Sequence, residues 1–528
     1  MWRLSGNAPK RNIRFLNNNI MGIVARQSIK GTIATYIGVA VGIVTTFFIQ
    51  TKALQPEQIG LVDVLLQCSL LFSGLALLGT TSSAMRFYPF FKDDANRDHG
   101  FFGWTLLVPL IGFLLFLGAF FAFKTPIVNY FSKDSEMFGE YVNFVIPLAF
   151  FMLYINVFET NSNLLLRIVV PKFVREVGLR VGTLAIYLLY YYEVIDFDGV
   201  IVAFCVLYGL ALLVNVGYLF SLQRVSFKID WDYLKPELKR DFMFYTLFML
   251  TAALAGNVIP MLSKFFVAGN AGFRLAGVFT IATNIAAVVE MPYRSLGAIS
   301  RPHISEAMAK QDVEQADALC KSVALHQFIA GSLVFFLIWI NIDYLFDLLP
   351  NGDIYRVGKW AVLILSMSRL IYSTFAVTTT VLSYSKYYYY SLIFTILLAV
   401  LSFGLNAWWV PLWDINGGAL ANAVSYLVYF ILLVVFISWK IKVNPLSMKL
   451  FPVAAIVLAL FGLNWLWTVA LTSWFAGLFA KPVFGLTIDA VLKSVLFLVL
   501  GLLALYKMRV SQSVNDLIDK GLKMVSRR

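Results

Sequence analysis

The sequence predicts an all-α polytopic membrane protein with about fourteen transmembrane helices. Three observations carry that reading. The 528 residues are 60% hydrophobic and only 13% charged, and a soluble chain of this length needs far more polar surface. A bilayer core takes roughly 20 apolar residues per helix, so fourteen helices use well over half the chain and leave mostly short connections. The basic residues also alternate from one connection to the next, as a polytopic topology requires.

Apolar stretches fall near 28–50, 60–85, 101–123, 140–166, 173–192, 199–222, 242–267, 273–298, 322–345, 357–383, 387–410, 417–438, 450–472 and 487–506. Their ends are punctuated by Pro56, Pro126, Pro171, Pro350 with Gly352, Pro411, Pro445 and Pro482, residues that break or cap helices. The polar, basic segment 1–27 precedes the first stretch. No small-residue cleavage site follows that stretch, so a retained helix is expected in place of a cleaved signal peptide.

Orientation follows from charge. Roughly three-quarters of the 42 Lys and Arg residues fall on one set of connections and nearby helix ends. That set holds Arg3 to Lys30, Arg86 to Arg97, Arg167 to Arg180, Arg224 to Arg240, Arg294 to Lys321, Lys386, Lys440 to Lys449 and the tail from Lys507. The opposite set holds Lys52, Lys124, Lys133, Lys264, Arg274, Arg356, Lys359 and Lys481. The basic set marks the cytoplasmic side, so both termini are expected there. The formal charge of +13 then reflects topology and anionic phospholipid, with no nucleic-acid partner implied.

Several chemistries find no support. Cys68, Cys205 and Cys320 are scattered and read as packed, reduced thiols. His99, His303 and His326 form no ligand-spaced group, so no metal site is indicated. No phosphate-binding loop of the Walker type is present. No catalytic residues or cofactor are expected, and the chain does not read as an enzyme.

A weak internal repeat organises the helices. Gly60 and Gly199 stand near the starts of two apolar stretches, and Gly277 and Gly417 near the starts of two others, about 140 residues apart in both cases. This divides the chain into a cytoplasmic N-terminus (1–27), an N-lobe of about six helices (28–222), a cytoplasmic loop (223–241), a C-lobe of about six helices (242–438), two further helices (439–506) and a cytoplasmic tail (507–528). Both lobes begin in the cytoplasm, so the repeat is parallel.

A charge at mid-membrane costs about 2.5–3.5 kcal/mol on insertion scales, so each calls for a partner or a water-filled cavity. Arg369 lies midway along the tenth helix, with Ser366 and Ser373 on its face. Glu290 and Arg294 share a face with Thr283 and are spaced to pair with each other. Lys264 follows Asn257 by two turns and lies where its ammonium could snorkel outward. Arg369, Arg294, Lys264, Ser366 and Ser373 are the candidates for binding an anionic substrate. Pyrophosphate suits such a wall, because it needs several N–H donors and positive charge to replace its water. In the first half, Asn156, Glu159, Thr160 and Asn163 form a polar stripe, and Asp63 begins the second helix as an interfacial or functional acid. Glu159, Asp63, Asn156 and Asn163 are the candidates for ion coupling. Glu159 has a bland alternative, an ion pair with Arg180.

The segments Lys264-Phe-Phe-Val-Ala-Gly269, Ala276-Gly277-Val-Phe-Thr-Ile-Ala, Glu290-Met-Pro-Tyr-Arg-Ser-Leu-Gly-Ala-Ile-Ser-Arg301-Pro302 and Ile415-Asn-Gly-Gly-Ala-Leu-Ala-Asn-Ala-Val-Ser resemble polysaccharide biosynthesis proteins. These are the O-antigen flippase type of the multidrug/oligosaccharidyl-lipid/polysaccharide exporter superfamily. The resemblance covers essentially the whole chain and rests on the joint placement of loose Gly, Pro and small-residue patterns. It implies two lobes in a V around a cavity that opens alternately to each side of a bacterial inner membrane. The implied cargo is an undecaprenyl-pyrophosphate-linked oligosaccharide, moved outward for surface polysaccharide assembly, with a glycan polymerase as a possible partner. Many relatives carry an acid where this chain has Lys264, so no role for Lys264 is inherited. The alternatives are a cation-coupled multidrug antiporter and a lipid II flippase of the same superfamily. The absence of Asp and Glu from 28–50 counts against the first, and the two helices in 450–506 match the second. A polymerase would need a large outer loop that this chain lacks.

Overall fold

The computed structural model describes residues 34–93, 97–131, 136–222, 227, 229–230, 233, 236–472, 482–516 and 518–519. The basic residues Arg3 to Lys30, Lys133, Arg224, Lys228, Lys235, Lys481 and those from Lys520 to Arg528 lie outside them, as does the side chain of Asn257. Among the described residues the protein is all-helical, without strands.

Eleven helices among these residues are long and apolar enough to cross a membrane, and with them the protein is a multi-pass membrane protein. Several are broken where the sequence places a residue unsuited to a straight helix. Helix 56–91 turns at Leu78 and Gly79, both left-handed. Helix 236–286 breaks at Gly272, whose φ of 79° and ψ of 168° suit only glycine. Helix 390–440 breaks at Trp413 and Asp414, just after Pro411. The stretch 169–191 is also helical and carries Lys172, Arg175, Glu176 and Arg180 in its first half. Asp196 and Asp312 cap the helices that follow them, accepting from the Gly199 and Gln315 amides, which supplies partners for otherwise orphaned N–H groups.

The chain forms two compact units. One comprises residues 1–53, 65–125 and 140–254, and the other 54–64, 126–139 and 255–528. In the first, Gln50 donates to the Tyr187 hydroxyl at 3.1 Å. Thr105 and Asn161 bond to each other while Asn161 also returns to the Val157 carbonyl. In the second, one apolar cluster gathers Cys320, Val381, Phe430 and Leu433, and another gathers Phe336, Leu460 and Phe497. Outward faces remain apolar, as at Leu115, Phe121, Val400 and Phe403, which fits a lipid surround.

Two of the glycines that mark the sequence repeat, Gly60 and Gly277, have a packing role in the second unit. A Cβ on Gly60 would lie 2.1 Å from the Phe273 carbonyl oxygen, and one on Gly277 would lie 2.0 Å from that of Pro56. The two helices therefore touch backbone to backbone, the close approach that small residues allow in membranes.

Candidate functional site

That glycine crossing assembles the first charged centre. Asp63 and Thr280 each lie one turn beyond a crossing glycine, so the close approach presents both to the same space. The Thr280 hydroxyl donates to Asp63 Oδ2 at 3.0 Å. The Lys264 ammonium donates to both carboxylate oxygens, at 3.1 and 2.8 Å. The side chains are only 11% and 16% exposed. Lys264 is therefore not a snorkelling cation and Asp63 is not a lone interfacial acid. Each neutralises the other, which lowers the cost of placing either among apolar helices.

The second centre lies in the same unit. Arg369, midway along Lys359–Phe375, donates from one Nη to Glu290 Oε2 at 3.0 Å. Glu290 ends a tight turn at Ala287–Glu290, which rotates it off the face that a uniform helix would share with Thr283. The expected pairing of Glu290 with Arg294 does not form: Glu290 turns to the longer-range partner, and Arg294 is exposed, with no ion pair among the described residues. Tyr372 lies one turn from Arg369 and stacks edge-on with Tyr293 and Tyr426. Ser366 and Ser373 are buried beside Arg369, each 1% exposed. Ser373 donates back to the Leu370 carbonyl.

In the first unit, Glu159 accepts from Arg175 at 3.0 Å, with the acid 13% and the base 46% exposed. The alternative partner, Arg180, bonds instead to Glu176, four residues before it. A wide helical turn at Val174–Gly178 shifts the register between these residues, and a neighbour at i, i+4 takes Arg180 locally. The polar stripe around Glu159 is mostly self-satisfied. Asn156 donates to the Met152 carbonyl and Thr160 to that of Asn156.

Sequence reasoning missed two arrangements. Asp489, 1% exposed, accepts from the Trp467 indole at 2.7 Å and from Thr472 at 3.3 Å, with the Lys493 ammonium 3.5 Å away. It also missed Asn161 with Thr105. An i, i+4 Asp–Lys spacing inside an apolar helix signals the first in part. The Trp467 and Thr105 partners are non-local and leave no signal in a single sequence.

The chain's sequence matches no known family and no curated protein. Its fold is similar to that of the lipid II flippase MurJ in an inward closed conformation, with a TM-score of 0.68 at 11% identity over 91% of this chain and 99% of that one. It is also similar to a multidrug resistance MATE family transporter of the MOP superfamily in its inward-facing conformation, with a TM-score of 0.57 at 16% identity, covering 77% and 99%. The outward-facing conformation of such a transporter gives 0.54 at 17% identity, covering 80% and 95%. At these identities the shared property is the fold alone.

Proposed function

We propose that the protein is a flippase that moves a polyprenyl-pyrophosphate-linked oligosaccharide from the cytoplasmic to the outer leaflet of a bacterial inner membrane, by alternating access, for cell-surface polysaccharide assembly. The observation that carries this reading is Arg369. A guanidinium presents five N–H donors, and among the described residues the bond to Glu290 is the one that engages it. The remaining fork suits a pyrophosphate, whose oxygens accept paired N–H bonds. Glu290 then acts as a placeholder that keeps the cation neutral while no substrate is present. Exposed Arg294 adds a second cation, and Lys264 serves only if substrate displaces it from Asp63. Glu159, beside Asn156 and Asn163, is the acid proposed to couple an ion gradient to the cycle.

Coverage supports a flippase over a multidrug antiporter. The inward-facing MATE structure is matched over 99% of its length yet accounts for 77% of this chain, whereas the MurJ structure accounts for 91%. The excess fits the two helices of 450–507. Lipid II itself as cargo is therefore the second reading. Removing the gene and identifying the lipid-linked sugar that accumulates tests both. An O-antigen or capsule repeat on a polyprenyl carrier supports the first reading, lipid II supports the second, and accumulation of neither opposes both.

A further inference from the structure

In the first unit, the helix 179–191 ends at a depression of about 810 Å³ beside Ala53 and the start of the helix Phe197–Ser221. Its wall includes Tyr190, Tyr191, Glu193, Asp196 and Phe197. The charge distribution assigns this connection to the outside. We propose that it is a binding site for a neutral sugar ring, an outer-side subsite for the glycan of a lipid-linked cargo. That role in transport rests on the function proposed above, whereas sugar binding itself does not.

The local backbone explains how the wall is built. The Glu193 amide bonds to the Tyr190 carbonyl and the Val194 amide to that of Leu189, which closes the helix end with Glu193 left-handed at φ 59°. This position ordinarily holds glycine. Here it turns the chain so that a carboxylate joins the tyrosines on one wall. Asp196 spends one oxygen capping the next helix, at 2.8 Å from the Gly199 amide, whereas among the described residues no hydrogen bond or ion pair engages the exposed Glu193 carboxylate.

Aromatic faces with carboxylates suit sugars. Ring C–H faces stack on tyrosine while hydroxyls donate to the acids, and bonds to a charged acceptor are the strong ones. Two carboxylates repel an anionic phospholipid headgroup. The cation such a wall could attract is already supplied by the chain, because Lys52 lies over the Tyr191 ring, 4.6 Å from its centroid. The volume falls within the range of small-molecule sites.

The test uses the full chain in lipid nanodiscs and saturation-transfer NMR with maltotriose, N,N′-diacetylchitobiose and xylobiose as probes. At least one should bind in the millimolar range, because stacking and hydroxyl recognition tolerate different pyranoses. Glu193→Gly restores the residue that the left-handed backbone prefers, so it should fold at least as well as wild type while binding sugar about tenfold more weakly, the loss of a bond to a charged group. Tyr190→Ala should weaken it similarly, whereas the Tyr191 ring already carries Lys52. No binding by any probe, unchanged binding by Glu193→Gly, or displacement of bound sugar by phosphatidylglycerol overturns the proposal. The readout contains no transport step. Failure of the flippase reading therefore leaves it standing, and its own failure leaves that reading standing.

Discussion

Replacing Lys264 with Met removes the ammonium that holds Asp63 while keeping most of its apolar length. Both side chains are mostly buried, at 11% and 16% exposure, so solvent screens the pair little. An orphaned buried charge costs about 3–5 kcal/mol in proteins generally. The Thr280 hydroxyl, still 3.0 Å from Asp63, offsets part of that loss. About 2.5 kcal/mol is therefore expected for Lys264→Met, and a similar cost for Asp63→Leu, which strands the ammonium. The double variant removes both members of the pair and leaves the Thr280 donor without this acceptor, and should cost no more than about 2 kcal/mol. The singles then sum to more than the double by about 3 kcal/mol. Equilibrium unfolding of purified protein in mixed micelles titrated with a denaturing detergent reads all four corners of the cycle. Additive costs, or a Lys264→Met cost below about 0.5 kcal/mol, would refute the claim that the two charges exist in the membrane as a mutually neutralising pair.

Glu159→Gln should leave the fold nearly unchanged, because Arg175 is 46% exposed and returns to water at less than about 1 kcal/mol. Transport by this variant in reconstituted vesicles should no longer respond to an ion gradient, and normal gradient response would remove Glu159 from coupling. Asp489→Ala strands Lys493 and the Trp467 indole. It should lower unfolding stability by about 3 kcal/mol without changing substrate affinity, and a change in affinity at unchanged stability would contradict a structural role. Asn161→Ala loses bonds to Thr105 and the Val157 carbonyl and should cost about 2 kcal/mol in the same assay. In a chain freed of its native cysteines, Asp353→Cys should react with a membrane-impermeant thiol reagent from outside and Asp230→Cys only after permeabilisation. Labelling of position 230 from outside would invert the orientation.

Helix positions were legible because they depend on composition and local breakers. Among the described residues the apolar stretches fall on helices, which form eleven candidate spans against the fourteen expected, and Gly272, Pro411 and Gly79 sit at or beside the breaks. The glycines at 60 and 277 were visible as markers, but their use was not. A spacing of residues along a chain does not reveal that two backbones meet, and it is this meeting that brings Asp63 to Thr280. Buried charges were likewise visible as costs without their partners. Reading within single helices suggested Glu290 with Arg294. The structure instead satisfies Glu290 through Arg369, far along the chain, because the tight turn at Ala287–Glu290 alters its direction. Glu159 chose Arg175 over Arg180 for a similar reason, the wide turn at Val174–Gly178 and the local claim of Glu176 on Arg180. Helical periodicity assumes a uniform helix, and the candidate site lies where the helices are not uniform.

Arg369 offers the most direct test of the proposed function. Vesicles reconstituted with purified protein and a fluorescent polyprenyl-pyrophosphate disaccharide would be assayed for the protection of that lipid from an external quencher as it crosses the bilayer. Wild type should translocate it. Arg369→Ala should insert and fold, yet lose translocation and bind the lipid at least about tenfold more weakly, while Arg369→Lys should recover only part, because a point charge cannot reproduce the paired N–H bonds. Translocation by Arg369→Ala at the wild-type rate would contradict the account.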